Sequence, residues 1–146
     1  MKEIEEMIQE DIKKEIEKYN EVKKEYFRLD KLICDAWNSH RMEEHKELKM
    51  KEEEFKATDD NMYYIKMWRK YYGNTEKHLE KDVRKHYEML QKKVENKIGK
   101  ILKVGHLGGY NYEFEGENGT CAVEVIIAGG YNIQRKHTRW IVKNID

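Results

Sequence analysis

Apolar residues recur along the first quarter of the chain at Ile4, Ile8, Ile12, Ile16, Tyr19, Val22, Tyr26, Leu29, Ile33 and Trp37, always three or four positions apart. That spacing lays a single stripe along an α-helix. Lys and Glu fill the positions between, many of them four apart, and each such pair adds about 0.2–0.5 kcal/mol to a helix. A helix from about Lys2 to Asn38 would be roughly 55 Å long at 1.5 Å per residue. That exceeds the diameter of a compact chain of 146 residues, so the stripe needs cover from another helix or from a second copy of the chain. The second option makes a homodimer through the N-terminal helix an expectation.

A second helical stretch, Met42 to Lys56, is acidic and has only Leu48 and Phe55 as firm apolar anchors. Thr58-Asp59-Asp60-Asn61 reads as a break and N-cap. A short helix from Met62 to Tyr72 follows, closed by Gly73. Asn74 or Thr75 then caps a helix whose stripe is Leu79, Val83, Tyr87, Leu90, Val94 and Ile98, again in steps of three or four. These elements predict an antiparallel bundle or coiled-coil stalk.

The period changes after Ile98. One glycine, Gly73, precedes that point and eight follow it in 48 residues. Tyr110, Tyr112 and Phe114 alternate with Asn111, Glu113 and Glu115, Asn118-Gly119 supplies a hairpin signal, and Cys121, Val123, Val125 and Ile127 continue on the return strand. Lys100 to Val104 makes a first strand and His137 to Ile145 a last one, with a helix over Ile133 to Val142 as the alternative for that segment. The predicted fold class is α+β: a long antiparallel helical bundle or stalk over residues 1–98, then a small antiparallel β-meander over residues 99–146.

Composition supports order despite high charge. Charged residues are 40% of the chain and hydrophobic ones 38%, a balance that usually favours disorder. The regular apolar spacing, ten Tyr, three Trp and three Phe, and the absence of proline oppose it. The 29 basic and 29 acidic residues cancel, but unevenly along the chain. Residues 1–30 carry seven positive and ten negative charges, residues 41–60 five and eight, and residues 75–103 nine and five. An acidic first helix and a basic last helix attract one another when antiparallel. The neutral sum weighs against a dedicated DNA-binding domain, for which a pI above about 9 is the usual footprint. No apolar run is long enough to span a membrane, and the first residues lack a signal peptide's apolar core, so the expected setting is the cytoplasm with no membrane partner. Cys34 and Cys121 lie 87 positions apart without a Cys-x-x-Cys, which reads as two buried free thiols rather than a disulfide or thiolate metal site.

Six histidines offer no helical zinc spacing: His40 and His45 are five apart, His78 and His86 eight. There is no phosphate-cradling glycine loop, nucleophile elbow or calcium loop, and Gly105-His106-Leu107-Gly108-Gly109 reads as a connection between strands. Carboxylates are too abundant for an acid–base pair to stand out. The chain therefore reads as a non-enzyme with no metal and no cofactor.

Two stretches carry candidate binding chemistry. In Met62 to Tyr72, five aromatics interleave with three cations. Tyr63, Tyr64, Lys66, Trp68, Arg69, Lys70 and Tyr71 suit a protein interface, in which Tyr, Trp and Arg are enriched, and also a surface that stacks bases. The bland reading puts Met62, Ile65, Trp68 and Tyr72 toward the core with the cations covering the rest. In the second stretch, Arg135, Lys136, His137 and Arg139 form a basic run on the last strand. Beside Tyr110 and Tyr112, Arg135, His137 and Arg139 make a nucleotide or nucleic-acid face the alternative to a protein partner; the bland reading is an edge strand guarded by charge.

The tail Ala128-Gly129-Gly130-Tyr131-Asn132-Ile133-Gln134-Arg135-Lys136-His137-Thr138-Arg139-Trp140-Ile141-Val142 resembles small proteins of phages that infect low-GC Gram-positive bacteria. The whole chain, charged helices and then a small sheet, is similar in style to phage inhibitors of bacterial immunity, anti-CRISPR proteins among them. The resemblance implies a stoichiometric inhibitor acting in the host cytoplasm that occludes a surface of a host nuclease or nucleic-acid-binding protein. It carries no site residues with it.

Overall fold

A computed structural model describes residues 3–108, 111–127 and 140–143. The order is four helices, α1 (Ile4–Asn38), α2 (Met42–Ala57), α3 (Asp59–Lys70) and α4 (Thr75–Ile98), then four strands, β1 (Ile101–Gly108), β2 (Asn111–Gly116), β3 (Gly119–Ile127) and β4 (Trp140–Lys143). The sheet is an antiparallel meander in the order β1-β2-β3-β4. The chain is thus α+β, with a long N-terminal helix and a C-terminal sheet.

The stripe on α1 is buried within the chain itself. Met7, Ile8 and Ile12 pack with Val83, Tyr87, Leu90, Val94 and Ile98 of α4 and with the inner face of the sheet. Tyr19 and Val22 pack with Tyr63, Tyr64 and Ile65 of α3 and with Leu79. Ile33 and Ala36 meet Leu48 of α2. Because α2, α3 and α4 cover successive parts of this stripe, the physical ground for a homodimer through α1 disappears. The stripe also ends before Trp37, which is 59% exposed and lies against His45. Composition changes at residue 98, yet one hydrophobic cluster crosses from α4 into β1, β2 and β3.

Local chemistry sets the turns. The α1–α2 corner closes with Arg41 N–H donating to Ala36 C=O (2.9 Å) and His40 N–H to Trp37 C=O (3.1 Å). This is the paired bonding of a Schellman cap, with His40 at φ 57° in the left-handed position that glycine usually occupies. Thr58, extended at ψ 137°, separates α2 from α3. The helix expected from Met62 starts at Asp59 and stops at Lys70, short of Tyr72, and the turn through Gly73 (φ 83°) carries the chain into α4. There Thr75 Oγ donates to Tyr71 C=O at 3.2 Å.

The sheet is fastened to the end of α4 by the β2–β3 hairpin. Asn118 N–H donates to Ile98 C=O (2.8 Å) and Glu117 N–H to Lys100 C=O (3.1 Å). At Gly116 any Cβ would stand 2.4 Å from Ile98 C=O, so this approach requires glycine. The hairpin turns at Glu117-Asn118, between the paired Gly116 and Gly119, one position earlier than the Asn-Gly signal. Val104, Phe114, Cys121 and Val123 are buried on the helix-facing side. Gly105 to Gly108, expected as a connection, is the second half of β1, because its backbone pairs with β2 from Val104 to Gly108. In the last segment Trp140–Lys143 is a strand, paired antiparallel to β3.

Candidate functional site

The helices α3 and α4 are joined by the short turn 71–74 and run back along one another. Each offers a face with the same spacing. On α3 and its end these are Tyr63, Lys66, Met67, Lys70 and Tyr71; on α4 they are His78, Lys81, Asp82 and Lys85. Steps of three and four put each set on one helical face, and the two faces enclose an open groove of about 550 Å³. A depression along α4, containing Lys77, Glu80, Arg84 and Glu88, shares Lys81 and Lys85 with it, and there Arg84 is paired with Glu80.

Tyr63, itself buried, and half-buried Met67 are among the residues that line the groove. Tyr63 O–H donates to Asp82 at 2.9 Å, and His86 Nε2 lies 3.5 Å from the same carboxylate. Asp82 is therefore occupied in tying α4 to α3. At the closed end Tyr71 and His78 stack with ring centres 3.5 Å apart and planes 15° from parallel, while Lys70 Nζ sits 5.2 Å over Tyr71.

Ion pairs join Lys18 with Asp60, Arg28 with Glu25, Arg41 with Glu44, Lys49 and Lys56 with Glu52, and Arg84 with Glu5 and Glu80. Other exposed lysines, Lys13, Lys24 and Lys46 among them, have no such pair among the described residues; what distinguishes the groove is that its lysines converge on one cleft. Among the described residues, Lys66, Lys70, Lys77, Lys81 and Lys85 form no ion pair. All five are exposed. In a chain whose charges cancel overall, the groove is a local excess of positive charge that attracts anionic groups.

Of the residues singled out from the sequence, Lys66, Lys70 and Tyr71 belong to this groove. Tyr63 and Tyr64 do not form an exposed interface: they are 6% and 1% exposed, and Tyr64 O–H donates to the buried carboxylate of Glu15 on α1. The expected core set on α3 also shifts. Tyr63, Tyr64 and Ile65 are buried, Met62 and Trp68 half-buried, and Tyr72 is 75% exposed. Because α3 is covered by α1 on one side and α4 on another, its apolar face is wider than a single stripe. Trp68 and Arg69 lie on a different side, where Trp68 packs on Tyr26, Phe27 and Tyr72 and Arg69 donates to Tyr26 Oη at 3.3 Å.

Of the nucleotide face expected on the sheet, Tyr112 is the residue that lies among those described. Phe114 is fully buried, and the half-buried Tyr112 packs against the same core and lies beside His106. Tyr112 and Phe114 point at the helices because β2 uses them to close the core. Tyr110, Arg135, Lys136, His137 and Arg139 lie outside the described residues. Cys34 is exposed, contrary to expectation, and Cys121 is buried.

A second crevice, about 280 Å³, lies between α1 and the sheet and contains Asp11, Lys14, His106 and Tyr112. Burial raises the Asp11 carboxyl, with Tyr87 O–H donating to it and partly opposing the rise. Burial and the nearby Asp11 charge push the Tyr87 phenol up, so it remains a donor. This bond ties α4 to α1. Among the described residues no group of three or more His, Cys, Asp or Glu is placed to hold a metal ion. No helix among them is long and apolar enough to cross a membrane.

Sequence inspection missed Lys77, His78, Lys81 and Lys85. They stand between the apolar positions of α4, where lysines read as an ordinary solvated face. The available signal was their own spacing of three and four, matched by Lys66 and Lys70 across a short turn. No protein-family model, curated protein or solved structure matches the chain.

Proposed function

We propose that this chain is a non-catalytic protein-interaction module that holds an anionic surface of its partner in the α3–α4 groove, and that it acts as a stoichiometric inhibitor of the kind phages direct against host defence nucleases. The observation that carries this reading is the row of lysines, Lys66, Lys70, Lys81 and Lys85, facing one groove without carboxylate partners among the described residues. Holding exposed like charges close together costs folding free energy, and an anionic partner reverses that cost. Asp82 is engaged by Tyr63 and His86, which makes it a structural group rather than a poised base. Proteins that handle nucleic acid are the fitting class of target in one respect: a cationic inhibitor groove would take their acidic regulatory or catalytic surfaces, in which carboxylates gather.

The test is complex formation. The tagged chain, expressed in a low-GC Gram-positive host and purified under mild conditions, is expected to elute with a protein at a fixed molar ratio. Reversal of charge at Lys81 and Lys85 should release that protein. A chain that elutes alone, or a complex indifferent to the reversal, would overturn the proposal.

A further inference from the structure

We infer that the occupant of the α3–α4 groove is an acidic amphipathic helix of the partner, a conclusion that rests on the interaction reading above and specifies its ligand. Three features select it. The first is period. Lys66 and Lys70 on one wall, and Lys81 and Lys85 on the other, recur every four residues, and Lys77 continues the α4 row beside the groove. The α4 row spans about 12 Å, two helical turns. Glu or Asp residues at i, i+4 along a helix lying in the groove repeat at the same pitch, so each carboxylate meets a lysine without distortion.

The second feature is apolar. Half-buried Met67 lines the groove together with the lysines, and a methionine adapts to whatever apolar side chain presses on it. A helix with one apolar residue between flanking carboxylates fills such a site, whereas a bare polyanion leaves Met67 uncovered.

The third feature disfavours a nucleic acid. Sequence-tolerant binding of single strands needs ring faces on which bases stack. Tyr71 is already stacked by His78 and has Lys70 above its ring, and Tyr63 is packed edge-on against Tyr64 with little exposure. Trp68 packs with Tyr26, Phe27 and Tyr72 and does not line the groove.

Fluorescence anisotropy of the full chain with three labelled probes tests the inference. The first probe is a helical peptide of about 20 residues with a leucine stripe flanked on both sides by glutamates four apart. The second has the same composition in scrambled order, and the third is a single-stranded oligo-dT. The helical peptide is expected to bind about tenfold tighter or better than either of the others, with affinity falling as salt is added. The double charge reversals Lys66→Glu/Lys70→Glu and Lys81→Glu/Lys85→Glu should each reduce its affinity about tenfold or more. Lys51→Glu, on the exposed surface of α2, should leave it unchanged. Circular dichroism melts establish that the variants remain folded, as expected for exposed lysines. Equal binding of the scrambled peptide would show that charge alone is read, tighter binding of the oligonucleotide would make the groove a nucleic-acid site, and failure of the helical peptide to bind would exclude the helix; each overturns the inference. If the fixed-ratio protein complex persists and still depends on Lys81 and Lys85 while the peptide fails, the interaction reading survives and only the helical ligand is rejected.

Discussion

The two ends of α1 are held in different ways. Its N-terminal half lies in a cluster with thirteen buried residues drawn from α1, α4 and three strands. Its C-terminal end meets α2 through a cluster of three, Ile33, Ala36 and Leu48. Both partners are charged helices of ordinary composition, but α4 repeats its apolar residues every three or four positions, whereas α2 has charged residues around most of its circumference. Leu48 and Glu52 are its buried residues, and Glu52 is neutralised by Lys56 at 3.1 Å. One end is therefore held by buried apolar area and the other by a short hairpin, a cap, a small apolar cluster and Lys56 lying over the Tyr26 ring. The comparison teaches that charge fraction alone says little about local stability; periodicity decides how much apolar surface can be removed from water.

The sharpest way to break the well-packed end is Phe114→Ala. Phe114 is fully buried between β2 and the helices, and its loss should destabilise the chain by about 3–5 kcal/mol, read as a lowered midpoint in urea. A smaller effect is expected at the other end: Leu48→Ala should cost about 2 kcal/mol, because a small cluster collapses more readily around the missing atoms. Equal losses at the two sites would erase the distinction between the ends. At the α1–α2 corner, His40→Gly should stabilise by up to about 1 kcal/mol, since glycine takes the left-handed cap position without the steric cost that His40 carries. No gain in the same denaturation experiment would show that this cap is unstrained.

The smallest effect concerns pH. Asp11 holds its proton more tightly in the folded chain than at its usual value near 3.8, chiefly because it is buried. Its contribution to stability is thus fully present below the unfolded value and is lost as pH rises through the elevated folded one. Asp11→Asn removes that dependence, so its melting temperature should improve relative to the parent as pH rises from about 3 to 7. A difference that stays constant across this range would reject the account.

Much of the helical framework was legible in the residues. The ends of α1 and the start of α4 follow from apolar spacing and turn chemistry, which act within a few residues. The limits of α3 were less clear, because its tyrosines, unlike leucines, suit core and surface alike. Three adjacent residues, Tyr63, Tyr64 and Ile65, are buried there, a run that one-stripe reasoning cannot anticipate for a helix covered from two directions. In the sheet, alternation correctly grouped Tyr112 with Phe114, yet it could not say that this face meets the helices.

The groove marks the boundary between the two kinds of information. Sequence by itself determined which positions could be helical, where the chain could turn, and that lysines recur on α3 and α4 at helical spacing, because these depend on local geometry and short-range sterics. Tertiary structure decided that α1 is covered within its own chain, that Tyr63 and Tyr64 are core, and that the two lysine rows face one another. Those outcomes depend on which apolar faces pack together over long sequence distances. Burying the stripe of α4 against α1 and the sheet leaves its lysines turned toward α3, and the charge excess of the groove follows from that packing.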